Sequence, residues 1–227
     1  MFCLVAVYTV IRIKQKEVYK MLNETKEMSS VYRKNAALDK AAQIIRIFSI
    51  PSLFAIVTFL IIYFTKPDVF SRVTQLFSAI FFIGIVPILA YAVHALVPSL
   101  RAKGRECQRN MAFAFTAVGY TAGLIYAFAL NVSSSLKEIY LGYMVSYILL
   151  LVMNKGIKFR SSGHAAGIAG PLLYLIYFTS WITLPVCALL WGAVLWSSLR
   201  VKRHTKAEFI AGSLCSVAAF SLSIIII

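Results

Sequence analysis

Seven apolar runs alternate with short polar segments along this chain. They cover residues 47–65, 76–97, 111–130, 139–153, 164–178, 182–198 and 209–227. Most approach the length of about 20 residues with which an apolar helix crosses the core of a bilayer once. The pattern therefore predicts an all-α fold, a polytopic membrane bundle of about six to seven transmembrane helices.

The first 46 residues have a different character from the rest of the chain. Residues 1–13 are apolar but too short to cross a bilayer comfortably, so they are either a membrane-dipping anchor or an incomplete first helix. Residues 14–46 are polar and basic. Their second half places Leu38, Ala41, Ala42 and Ile45 at helical spacing, which predicts an amphipathic helix at the interface. We expect an interfacial segment, residues 1–46, and a transmembrane domain, residues 47–227.

Composition and charge agree with a membrane protein. The chain is 60% hydrophobic, and its four cysteines are scattered, so the sequence suggests neither a disulfide framework nor a zinc site. The net charge of +15 comes from loops between the apolar runs, which argues against nucleic acid as a partner. The basic loops are residues 14–46, 101–109, 155–160 and 200–206, whereas residues 66–72 and 131–138 are nearly neutral. The positive-inside rule predicts that the basic side faces the cytoplasm of a multi-pass cell-membrane protein.

Two histidines lie at the two ends of one uncharged stretch. From residue 161 to residue 199 the chain has no Asp, Glu, Lys or Arg. Its length fits two crossings joined by a tight turn, so His164 and His204 return to the same side of the membrane. The spacing predicts a shared site at the membrane surface.

The residues around His204 suit a nucleophile that attacks an anion. Glu208 follows His204 by four residues, so the two side chains are neighbours on a helix. A carboxylate on one imidazole nitrogen fixes the tautomer and leaves the other nitrogen free. Arg200 and Arg203 crowd the same turn and could neutralise a bound phosphate.

The loop before His164 is suited to holding phosphate oxygens. Ser162 and Gly163 precede the histidine at a predicted helix start, where backbone N–H groups bind anions. A third basic loop, residues 101–109, is expected on the same side. In this loop Arg109 is the best phosphate-binding candidate, and the pattern does not separate Lys103 from Arg105.

These motifs resemble a known family. Residues 161–164, Ser-Ser-Gly-His, are similar to the Pro-Ser-Gly-His motif of the type 2 phosphatidic acid phosphatases. Residues 196–208, with the glycine at position 212, are similar to the Ser-Arg-x5-His-x3-Asp motif of that family and the glycine after it. The resemblance covers roughly residue 47 to residue 227.

The resemblance implies a phosphatase-like helical membrane domain that removes phosphate from a lipid phosphate or a polyprenyl diphosphate. Catalysis would be independent of metals and cofactors and would pass through a phosphohistidine. His204 would be the nucleophile, Glu208 its orienting acid, and His164 the acid for the leaving group. Ser162 and Gly163 would hold phosphate oxygens.

The chain also departs from the motifs of the family. The arginine six residues before the nucleophilic histidine is replaced by Ser198, and the usual Asp is Glu208. Lys103 and Arg109 are one residue too close for the first motif. Arg200 is a possible substitute for the lost arginine. Two alternatives therefore stay open, a weakened or inactive member that binds or transports lipid phosphates, and a phosphotransferase with an acceptor other than water.

Overall fold

A computed structural model describes residues 35–227, and these residues form helices joined by short turns, with no strand among them. The predicted all-α helical bundle is therefore confirmed. Residues 1–34, which include the apolar segment 1–13, lie outside the described part. The helices are α1 (Asn35–Phe48), α2 (Pro51–Thr65), α3 (Val73–Leu96), α4 (Pro98–Ala102), α5 (Gly104–Ala129), α6 (Ser134–Gly156), α7 (Gly163–Phe178), α8 (Leu184–Arg200) and α9 (Lys206–Ile226).

Each of the seven predicted apolar runs is helical. In the described part, the helices α3, α5, α6 and α9 are long and apolar enough to cross a membrane, and so is α8 together with the turn Trp181–Thr183 before it. The pair α1 and α2 passes the same test only as one broken span, because it bends by 61°. Helix α7 is shorter, with 16 residues. The structure thus has five spans, or six with the bent pair, and one short apolar helix beside them.

Helix α1 has the predicted amphipathic face. Ala42 is fully buried, and Leu38, Ala41 and Ile45 are half-buried, whereas most of their neighbours are exposed. The helix stops before Pro51, because a proline disfavours helical backbone in the residue that precedes it. The bend lets α1 lie across the end of the bundle before α2 enters the bundle.

The centre of the bundle consists of α6, α7 and α9, with α2 packed on α7 and α3 on α5. The Tyr174 hydroxyl of α7 donates to the Glu138 carbonyl of α6 at 2.8 Å and lies 2.9 Å from the Ser223 hydroxyl of α9. A Cβ at Gly142 would collide with this tyrosine hydroxyl, so the glycine lets the helices approach closely.

The three predicted basic loops and α1 meet at one end of the bundle, named here the basic end. There Lys155 donates to Asn110 at 3.2 Å, and Arg200 forms an ion pair with Asp39 at 2.7 Å. Helix α6 closes with a π-helical turn, Val152–Gly156. In this turn the Asn154 amide donates to the Leu150 and Ser161 carbonyls, which ties the end of α6 to the loop before α7.

Candidate active site at the basic end

His204 and Glu208 form a pair at the start of α9. His204 Nδ1 lies 3.1 Å from Glu208 Oε2, and both side chains are mostly buried. The structure thus brings together the two residues that their spacing of four predicted as neighbours. Because the carboxylate holds Nδ1, Nε2 is the nitrogen left to act as a nucleophile.

Glu208 is itself fixed by a capping box. Thr205 Oγ1 accepts from the Glu208 amide at 3.2 Å, and Glu208 Oε2 accepts from the Thr205 amide at 3.0 Å. Such reciprocal bonds satisfy two free donors at a helix start. The same carboxylate oxygen therefore holds the helix terminus and the imidazole, which leaves His204 little freedom to turn.

A main-chain hydrogen bond joins the two histidine loops. The Ser162 amide donates to the Glu208 carbonyl at 2.9 Å. One turn along α9, a Cβ at Gly212 would collide with the Ser162 carbonyl oxygen, so a residue with a side chain does not fit at that position without a shift. The glycine that the motif places after Glu208 thus lets α9 approach the loop that carries His164.

Ser162 is fully buried and its polar groups bond within the protein. Its hydroxyl accepts from the Ala165 amide at 3.2 Å and so caps α7, while its own amide is bonded to Glu208. Among residues 35–227 the Gly163 and His164 amides have no acceptor, and the space beside Gly163 is open. The free anion-binding donors at the start of α7 are therefore these two amides.

His164 is anchored by α1. Its Nε2 lies 3.0 Å from Ser49 Oγ, and the Ser49 hydroxyl donates to the Arg46 carbonyl at 3.3 Å. A hydroxyl has one hydrogen, so when Ser49 donates to the Arg46 carbonyl, His164 Nε2 is the donor towards Ser49. Nδ1 is then the unprotonated nitrogen of the neutral ring, and no described residue bonds to it.

Both histidines favour the neutral form at neutral pH. Burial, followed by the positive charges of Arg46 and His204, lowers the pKa of His164 in the first turn of α7 to about 4. Burial also lowers the pKa of His204, and the charges of Arg160 and Arg46 act in the same direction. Glu208 opposes these effects because it stabilises the imidazolium. A bound phosphate would raise both pKa values by supplying negative charge.

The sequence did not single out Arg46 or Ser49, which lie at the bend between α1 and α2. One guanidinium nitrogen of Arg46, Nη1, is buried and has no hydrogen-bond partner among the described residues. Burial and the charge of Arg105 lower the pKa of Arg46. The one signal in the sequence was the position of Arg46, four residues after Ala42 on the apolar face of α1.

The side chains predicted to bind phosphate differ in their exposure and in their partners. Arg200 donates to Asp39 and to Asn35, so α1 occupies its guanidinium. Arg203 is half-buried without a side-chain partner in the described part, and Lys103 and Arg109 are exposed. In the third loop, Arg105 is the cation whose charge acts on Arg46.

The position that carries the arginine in the family motif is fully buried in this protein. Ser198 is fully buried, and its hydroxyl has no partner among residues 35–227. Its neighbour Ser197 donates to the Ala42 carbonyl at 2.6 Å. The last turn of α8 is therefore packed against α1, where the motif predicts a cationic side chain.

In the described part of the chain, no three His, Cys, Asp or Glu side chains lie together as metal ligands do. The chain matches no family model, no curated protein and no solved structure. The fold and the site define a polytopic helical membrane protein that holds two histidines, a carboxylate and a half-buried guanidinium at one end. The family resemblance of the two motifs stays a prediction.

Proposed function

We propose that the protein is an integral-membrane phosphatase that hydrolyses a lipid phosphate or a polyprenyl diphosphate through a phosphohistidine. The observation that carries the proposal is the double use of Glu208. Its carboxylate holds His204 Nδ1, and its carbonyl binds the loop that carries His164. One residue thus orients the nucleophile and fixes the second histidine near it.

The first half of the reaction forms a bond between nitrogen and phosphorus. His204 Nε2 donates its electron pair to phosphorus as the bond from phosphorus to the leaving oxygen breaks. His164, protonated once the anion is bound, gives its proton to that oxygen, so the lipid leaves as an alcohol or a monophosphate. Glu208 stabilises the positive charge that develops on the His204 ring.

The second half regenerates the enzyme. His164 is now neutral and takes a proton from a water molecule, whose oxygen attacks the phosphorus. The bond from nitrogen to phosphorus breaks, its electrons return to His204, and inorganic phosphate leaves. The amides of Gly163 and His164 are suited to hold the phosphoryl oxygens in both halves because they are free donors at a helix start.

The surroundings of the site favour a lipid as the substrate. The helices next to the histidines are apolar, with Ile47, Phe48 and Leu53 exposed beside the bend between α1 and α2. A phosphate on a membrane lipid reaches this end from the bilayer without leaving its headgroup layer. By the positive-inside rule the basic end faces the cytoplasm.

A second function, binding or transport of lipid phosphates without turnover, is favoured by Ser198. A fully buried serine stands where the motif has a phosphate-binding arginine. Loss of such a cation typically costs on the order of 10²- to 10³-fold in rate.

The test is phosphate release by the purified chain from a panel of lipid phosphates in the presence of EDTA. We expect release by the wild-type protein and by His94→Ala, a histidine bonded to the Gly104 carbonyl. His204→Ala should abolish it. A nitrogen-linked phosphoryl group, lost in acid and kept in base, should accumulate on the wild-type chain. Release that survives His204→Ala would disprove the phosphohistidine route, and no release from any lipid would favour the binding function.

A further inference from the structure

Arg46 lies where the chain turns from α1 into α2, and two hydrogen bonds fix this turn to the site. Ser49 links the Arg46 carbonyl to His164. One helical turn before Arg46, the Ala42 carbonyl accepts from Ser197 of α8. The backbone of Arg46 is thus held between the start of α7 and the end of α8.

The guanidinium of Arg46 is half-buried, and no described residue forms a hydrogen bond to it. Nη1 is buried and bonds to no protein atom there. An unsatisfied buried donor is costly, and a charged one more so, hence such groups in folded proteins usually serve a ligand or a strained site. No carboxylate of the described part forms an ion pair with Arg46, whereas Arg200 has Asp39.

The charge of Arg46 reaches both histidines. It lowers the pKa of His164 and that of His204, although the two residues stand 40 positions apart in the chain. A cation whose charge acts on both a nucleophile and an acid, and which has a buried donor without a partner in the described part, is suited to bind a phosphoryl group. Arg105, whose charge acts on Arg46, adds to the positive field around it.

We propose that Arg46 binds the phosphoryl group of the substrate and takes the place of the arginine that Ser198 replaces. The proposal rests on the function proposed above and names the cation that this site uses. It assigns a catalytic role to the interfacial helix α1, which the motifs do not include. Arg200 is left to its contact with Asp39 and has no part in binding phosphate.

The experiment compares Arg46→Met and Arg46→Lys with Lys40→Met in the full chain purified in detergent. Methionine keeps an apolar stem and removes the guanidinium, while Lys40 is an exposed cation on the same helix. Binding of inorganic phosphate and of orthovanadate is measured by equilibrium dialysis, and phosphate release is measured on the best lipid of the panel. Thermal unfolding of each variant without ligand reports on a merely structural role.

We expect Arg46→Met to weaken binding of both anions at least tenfold and to lower kcat/KM by about 100- to 1000-fold. Arg46→Lys should fall between it and the wild type, because lysine keeps the charge without the planar fork. Lys40→Met should bind and turn over like the wild type. The unfolding temperature of Arg46→Met should not fall, since the lost donor has no protein partner.

Two results would overturn the inference. The first is anion binding by Arg46→Met within twofold of the wild type. The second is weaker anion binding by Arg46→Met together with a lower unfolding temperature, because that combination indicates a structural role. Phosphate and orthovanadate bind without being turned over. Anion binding therefore tests the role of Arg46 separately from the proposed phosphatase activity. A wild-type chain that binds phosphate through Arg46 but releases none from lipids disproves only the phosphatase. Release that is unaffected in Arg46→Met disproves only the role of Arg46.

Discussion

The Ser162 amide and the Glu208 carbonyl, 2.9 Å apart, join the start of α7 to the start of α9 through main-chain atoms alone. No side chain takes part in this bond, so a substitution disturbs it only by moving one of the two helices. Gly212 is the residue through which that movement is most easily produced, because α9 passes closest to Ser162 there.

We expect Gly212→Ala to separate the two histidine loops. The added Cβ would collide with the Ser162 carbonyl oxygen. Overpacking of this kind costs about 1–3 kcal/mol of stability, and phosphate release should fall with it. Gly192→Ala is the matched control. A Cβ there meets open space on α8, so the variant should gain about 0.5–1 kcal/mol and keep its activity. Equal behaviour of the two variants would contradict the close contact.

Glu208→Gln should slow phosphate release and move its pH dependence. The amide of glutamine cannot stabilise the imidazolium, so the rate should fall by on the order of 10²- to 10⁴-fold. Glu208 raises the pKa of His204 against the effect of burial. Without that charge the pKa falls further, His204 stays unprotonated to lower pH, and the acidic limb of kcat/KM shifts downward.

The acidic limb of the wild-type kcat/KM profile should lie below pH 6.5, the ordinary pKa of histidine, because burial lowers the pKa of His204. Glu106→Gln removes an exposed carboxylate at the same end and should leave both rate and limb unchanged. A limb that moves upward in Glu208→Gln would show that the carboxylate does not act on His204.

Replacing the two adjacent serines of α8 by alanine should change the stability differently. Ser197→Ala removes the bond to the Ala42 carbonyl, which keeps its helical partner, so the cost should be about 0.5–1.5 kcal/mol. Ser198→Ala removes a buried hydroxyl without a partner in the described part, so its stability should be unchanged or higher. Thermal unfolding in detergent measures both. A larger loss of stability in Ser198→Ala than in Ser197→Ala would show that the Ser198 hydroxyl has a hydrogen-bond partner.

Arg200→Ala should have a small effect. Its partner Asp39 is more than half exposed, and exposed ion pairs contribute about 0–1 kcal/mol. Phosphate release should stay within about threefold of the wild type, as it should in Asp39→Ala, because we assign phosphate binding to other groups. A loss of 100-fold in Arg200→Ala alone would instead revive the hypothesis that Arg200 replaces the missing arginine of the motif.

The local features of this protein could be predicted from its sequence. Apolar runs identify helices because the bilayer core demands both length and satisfied backbone groups. The contact between His204 and Glu208 follows from four-residue spacing on a helix, and the buried face of α1 follows from the spacing of Ala41, Ala42 and Ile45.

Contacts between distant segments could not be predicted in this way. Ser49 meets His164 across 115 positions, and no periodic pattern encodes that approach. For the same reason Arg46 appeared as one more charge of a basic segment. Ser162 was interpreted as a phosphate ligand, and the structure uses its hydroxyl to cap α7. The hydrogen bonds of a serine at a helix start depend on the packing behind it, which the motif does not specify.

Helix α7 has 16 residues and is therefore about 24 Å long, about 6 Å less than the hydrocarbon core of a typical bilayer. Because α7 lies at the centre of the bundle, its neighbours are longer helices and not lipid. His164 stands in the first turn of this short helix, so we expect the histidine site to lie deeper than the ends of the neighbouring spans. On the function proposed above, a thinner host membrane brings lipid phosphates closer to that depth, and phospholipids with shorter chains should favour turnover.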